Sequence, residues 1–236
     1  MPAGRWGNYN RSSVLILFLL GGLSLAAQSP AVKGYDHFYN LEFDQAIDVF
    51  QSAVKSNPED AESHNHLAHA ILYREMLRSG ALESELVSGT NPFLRRGKMK
   101  PSLEDQQRFE EAIRRSMELT TIALSRNPND SNAMYLQGVA YGLRGNFNFL
   151  VKKAWTDALR DITSARKLHN RVTELEPERI DARLVQGVHD YVVGSLPWSY
   201  KLLGFIIGFR GNKEEGIKTL QLVAREGKQN STDAKV

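Results

Sequence analysis

Three prolines constrain this chain more than any other feature. Pro58, Pro128 and Pro177 stand in Asn57-Pro58-Glu59-Asp60, Asn127-Pro128-Asn129-Asp130 and Glu176-Pro177-Glu178-Arg179, each at the end of an amphipathic stretch. Proline has no N–H with which to continue a helix, and the Asp or Asn that follows caps the next one. The stretches between them have helical period. Phe109, Ala112, Ile113, Ser116, Leu119 and Ala123 recur every three to four residues, as do Ala158, Leu159, Ile162, Ala165, Leu168, Val172 and Leu175. No strand-like alternation of comparable length occurs. The expectation is an all-α chain of roughly eight main helices. A length of 236 residues would allow two domains, but helix pairs that share interfaces with their neighbours make one.

Aligned on the prolines, small and aromatic residues fall at repeated offsets. Counting proline as position 32, the first unit has Gly34 at 8, Ala46 at 20, Phe50 at 24 and Ala53 at 27. The second has Leu67 and Ala68 at 7 and 8, with Ala123 at 27. The third has Gly138, Ala140, Tyr141 and Gly145 at 8, 10, 11 and 15. A fourth has Gly187 at 8, with Gly211, Gly216 and Leu220 at 15, 20 and 24. This pattern resembles the tetratricopeptide-repeat superfamily from about residue 28 to about 227. The resemblance implies a right-handed α-solenoid of about four helix pairs.

The spacing departs from the 34 residues of that repeat. Pro58 to Pro128 is 70 residues and Pro128 to Pro177 is 49, which leaves insertions of 36 and 15. The fourth unit carries a further 17. Every insertion falls between the first and second helix of its unit.

In the superfamily the first helices line a concave groove and meet ligands at positions 2, 5, 9, 12 and 13. Carried over, these are Tyr35, Phe38 and Tyr39; Glu62, Asn65, His69, Leu72 and Tyr73; Asn132, Tyr135 and Val139; and Asp181, Leu184, Val188, Tyr191 and Val192. Tyrosine and phenylalanine offer large contact area at low entropy cost, and amide or imidazole groups set direction. The expected partner-binding groove is Tyr35, Phe38, Tyr39, Asn65, His69, Tyr73, Tyr135 and Tyr191. No lysine or arginine occupies these positions, which argues against the carboxylate clamp of chaperone-binding members. The competing expectation is that the insertions fill the groove and the rings are core.

Three further features carry weaker signals. His64, His66 and His69 are the densest histidine cluster, but only His66 and His69 could share a helix face, and nothing specifies a metal set. The bland alternative is two solvated histidines and one at the groove. The stretch 79–101 is rich in glycine and proline and ends in Arg95, Arg96, Lys98 and Lys100 beside Phe93 and Leu94, a solvated loop or a contact for an anionic surface. The run Leu202–Phe209 is apolar on every side and so must be covered, by the end of the core or by a partner or bilayer surface through Trp198, Phe205 and Phe209. With Gly208 to Ile217 it is also similar to a C-terminal motif of the Iml2/TTC39 group of tetratricopeptide proteins, although Asn212 and Lys213 stand where that group has Asp and Arg. That resemblance implies contact with membranes or an envelope.

Residues 1–27 read as an address. Arg5 and Arg11 precede the apolar run Val14–Leu20, and Ala26 and Ala27 close it, as in a secretory signal peptide. The apolar core is short for a membrane span, which is the alternative reading. Without these residues the formal charge falls from +3 to 28 basic against 27 acidic groups, so nothing argues for nucleic acid. The absence of cysteine excludes disulfides, thiol chemistry and a lipid-bearing cysteine. Residues 228–236 are polar and read as a frayed, disordered tail.

No nucleophile elbow, phosphate loop, zinc-protease or dinucleotide motif is present. The reading is therefore a non-enzymatic, exported scaffold without a cofactor or metal. It would bind a protein or peptide through the aromatic groove, with possible membrane-surface contact, in the periplasm or secreted. The alternative is an envelope accessory protein that binds a small ligand or lipid for a solute-transport system.

Overall fold

The structure is a computed structural model and describes residues 29–82, 98–195 and 211–235. Among them run eight α-helices in four antiparallel pairs: α1 (Pro30–Tyr39) with α2 (Phe43–Ser56), α3 (Ala61–Arg78) with α4 (Leu103–Arg126), α5 (Ser131–Phe147) with α6 (Trp155–Leu175), and α7 (Leu184–Ser195) with α8 (Lys213–Glu226). Each helix packs on its neighbour in sequence, and α3 also touches α1 and α5. The first helices of the first three pairs therefore lie side by side. No strand occurs among the described residues. The all-α fold of about four helix pairs expected from the sequence is what the chain adopts.

The turns behave as the prolines require. The Asp60 carboxylate accepts from Glu62 N and Ser63 N at 3.2 Å each and starts α3. Asp130 accepts from Ala133 N at 2.9 Å and starts α5. Arg179 offers no cap after Pro177, and there a 3-10 turn, Ile180–Arg183, leads into α7.

The small residues at position 8 explain the pairing. A Cβ on Gly34 would lie 2.2 Å from the Phe50 ring, one on Gly138 2.2 Å from the His169 ring, and one on Gly187 3.0 Å from Leu220. In three of the four pairs the backbone of the first helix thus rests on the position-24 side chain of the second. Interiors are packed too tightly for even one added methyl at such contacts. In the second pair Ala68 stands at position 8, and the buried Ser116 and Thr120 take positions 20 and 24.

The insertions lie where the spacing puts them, between the helices of a pair. In the second unit the chain returns to the core at Met99, which is buried and donates its N–H to Leu150 O at 3.0 Å. Lys98 and Lys100 flank it in solvent. In the third unit the added residues lengthen α5 to 17 residues and α6 to 21 and form a π-turn, Asn148–Lys152, closed by Lys153 in a left-handed conformation. Ion pairs tie the pairs together. Arg74 of α3 reaches Asp44 of α2 at 2.6 Å and also bonds Asp105 of α4, and it holds the Asp44 carboxyl below its ordinary range. Residues 1–27, Arg95, Arg96, Trp198, Phe205 and Phe209 lie outside the described residues.

Candidate functional site

The shared face of the first helices opens with a cluster of rings. Tyr35 stacks on Tyr39 at 5.7 Å between centroids and meets Phe38, Phe50 and His66 edge-on at 5.6, 5.4 and 4.9 Å. Phe38 is buried against Phe43 and Tyr73, both at 5.1 Å, and against His69 at 4.6 Å. The i, i+3 and i+4 spacings on α1 and α3 bring these residues together. The Tyr35 hydroxyl lies 3.3 Å from His69 Nδ1.

Burial governs the charge state of this cluster. It pushes His69 down to about 3 and His66 down to about 4, so both are neutral at pH 7. It pushes the Tyr73 phenol up to about 12 and raises Tyr35 and Tyr39 as well. The cluster is thus apolar with hydroxyl tips. It has none of the solvated histidines that the bland reading expects: His64 is buried too, with Nε2 2.9 Å from Pro58 O. Among the described residues no group of acids and histidines could hold a metal.

The far end is polar. Tyr135 is buried and stacks on His169 at 5.0 Å, with the Arg179 guanidinium 4.2 Å from its ring centre. Burial brings the His169 imidazole down to about 4 and the Tyr135 phenol up to about 12. Asp181 is 6% exposed, and its carboxylate faces the same space.

Across this face runs the segment after α8. Residues Lys228, Gln229 and Asn230 donate their backbone N–H groups to the Asp181 carboxylate at 3.1, 3.0 and 2.8 Å. The Asn230 side chain donates to the Tyr135 hydroxyl at 2.8 Å, and Gln229 reaches Glu62 at 3.4 Å. The Tyr39 hydroxyl donates to Asp233 at 3.1 Å, where Asp233–Lys235 form a 3-10 turn. Six residues, 228–233, thereby bond to α1, α3, α5 and the 3-10 turn that leads into α7.

The expected groove residues divide into three groups. Tyr39 and Tyr135 touch the segment. Tyr35, Phe38, His69 and Tyr73 form the ring cluster beneath it. Asn65 and Tyr191 do other work. Asn65 is 2% exposed and donates to Leu136 O at 2.9 Å, so it is a strut between α3 and α5 rather than a groove contact. Tyr191 lies where α7 meets α8, with Lys213 Nζ 5.7 Å from its ring centre. Glu62 and Asp181, both at position 2, bond to segment 228–230. The insertions were the expected candidates for filling the groove, but among the described residues it is segment 228–235 that covers it. The frayed tail expected from its polarity is instead hydrogen-bonded along its length. Asn230, Asp233 and His169 were not singled out in the sequence. Alignment on Pro177 would have found His169, which falls at position 24, but no comparable signal marks the other two.

The model of the tetratricopeptide repeat covers α1, α2 and most of α3. Residues 32–74 match the tetratricopeptide repeat. The match includes Gly34 and Phe50, whose contact joins the first pair, and all the rings of the first cluster. No curated protein matches the chain. Among solved structures, a thermophilic tetratricopeptide-repeat protein of Thermus thermophilus is similar at 15% identity and a TM-score of 0.40, over 84% of this chain and 73% of that one.

Proposed function

We propose that this chain is a non-enzymatic interaction scaffold whose concave groove binds a peptide segment of a protein partner. The observation that carries the reading is that the groove holds a polypeptide segment in this structure. Residues 228–235 lie across it and bond to Tyr39, Glu62, Tyr135 and Asp181. Those four come from α1, α3, α5 and the 3-10 turn that leads into α7, as a solenoid that reads an extended ligand requires. The repeat match over residues 32–74 supports the same class of function.

Crosslinked capture from envelope fractions tests it. Tyr39→Ala changes an exposed rim position, and Tyr135→Phe removes one hydroxyl while keeping the ring. Both variants should lose partners that the unaltered chain retains, and identical partner sets would sink the groove reading. Export through residues 1–27 belongs to the same proposal. A mature N-terminus at Ala27 or Gln28 is expected, and a start at Met1 contradicts it. The accessory reading, with a small ligand or lipid, requires an apolar enclosure formed by the insertions and residues 192–209, of which 196–209 lie outside the described residues. Native mass spectrometry of the purified chain would reveal a retained lipid or solute.

A further inference from the structure

We propose that residues 228–235 are a tethered, displaceable occupant of the groove, and that the partner segment carries an amide side chain and, three residues on, a carboxylate in the places of Asn230 and Asp233. The inference rests on the groove reading above and deepens it.

The contacts define what the groove recognises. One end is an acceptor site. Asp181 is buried, and its carboxylate takes three consecutive backbone N–H groups, an arrangement that any chain in the same turn can supply. Beside it the Tyr135 hydroxyl and the Asp181 backbone carbonyl both accept from Asn230 Nδ2, at 2.8 and 3.3 Å. A side-chain amide has the two donors this needs, and aspartate or an aliphatic residue has none. The other end is a donor site, the Tyr39 hydroxyl on Asp233. Sequence selection therefore rests mainly on residues 230 and 233, with a long contact from the Gln229 amide to Glu62 beside them, and backbone geometry holds the rest.

The same contacts make the segment releasable. Its half-buried part is Asn-Ser-Thr-Asp-Ala, residues 230–234, and no large apolar side chain anchors it. Hydrogen bonds exchanged for bonds to water leave only a modest net gain. Asp233 forms no ion pair among the described residues, although it is drawn in among tyrosines. A bound carboxylate with a single phenol donor is weakly held. What keeps the segment in place is its attachment to α8, which ends at Glu226. A short tether supplies an effective concentration on the order of millimolar. A free segment of the same chemistry must overcome that competition, and it gains when the tethered copy is weakened.

The test uses the full chain and its Asn230→Ala/Asp233→Ala variant, with helicity checked by circular dichroism. A fluorescein-labelled peptide of residues 227–235 is titrated into each and followed by anisotropy. The peptide should bind the variant at least about tenfold more tightly than the unaltered chain. A control peptide with the same two alanines should bind neither. Equal binding to both forms, or binding to neither, overturns the proposal, the second by making the segment a fixed part of the fold. Trypsin offers an independent reading, because cleavage after Lys228 should be faster in the variant, and equal rates would also overturn it. Neither measurement involves a partner. Failure to capture one in the pull-down would leave these results standing, and the reverse also holds.

Discussion

At the repeat-one end of the groove, rings from α1 and α3 close on one another, and their imidazoles and phenols are neutral because burial keeps them so. At the repeat-four end, the Asp181 carboxylate accepts hydrogen bonds from a segment that crosses from α8, and the Arg179 guanidinium lies over the Tyr135 ring. The first end is built by packing and has one arrangement. The second is built from exchangeable polar bonds and can change its occupant. A binding groove needs both, a fixed wall and a set of groups that can trade partners.

The largest expected effect breaks the fixed wall. Phe50 is fully buried, with Gly34 resting on it, so Phe50→Ala should cost about 3–5 kcal/mol. Urea unfolding would show the loss, and a cost below about 1 kcal/mol would mean that the pair is not joined there. Acid should act next. His66, His69 and His169 fold at about 4, 3 and 4, below their unfolded value of about 6.5. The unfolded chain takes up protons first, so stability is complete above pH ~6.5 and is lost progressively as pH falls toward 4. A melting temperature flat between pH 7 and 5 would contradict this.

Asp233 has the opposite sign. Burial raises its carboxyl, so docking of segment 228–235 is strongest below the ordinary carboxylate range and weakens as pH rises through the raised value. Asp233→Asn should remove that dependence, as read by cleavage after Lys228. A smaller effect sharpens the exchangeable end. Asp181→Ala should cost about 1–3 kcal/mol of docking by removing a charged acceptor of three N–H groups. It should leave the melting temperature of the helices nearly unchanged. The smallest is Tyr39→Phe, about 0.5–1.5 kcal/mol at a residue 37% exposed. If it loosened the segment more than Asp181→Ala does, the assignment of the two ends would be reversed.

The helix pairs were legible in the sequence because their signals are local. Pro58, Pro128 and Pro177 stop helices whatever surrounds them, and Gly34, Gly138 and Gly187 mark the close approaches at a fixed offset from them. The ring cluster was legible for the same reason, since Tyr35, Phe38, His69 and Tyr73 recur at helical spacing. Asn65 was misplaced because a helix position does not say whether an amide faces a ligand or a neighbouring carbonyl, and here Leu136 O takes it. The occupied groove was not legible. Lys228 to Asn230 bind through backbone N–H groups that every residue but proline has, and polar side chains read as solvated wherever they are. Only the packing of the helix pairs brings Asp181 and Tyr39 within reach of one short segment.

Amide exchange at Lys228, Gln229 and Asn230 tests the central claim most directly. If segment 228–235 occupies the groove, these three amides exchange slowly in the full chain and become fast in Asp181→Ala, while the core amides of α3 and α5 stay protected in both. Exchange at the rate of an unstructured peptide in the unaltered chain would contradict the account.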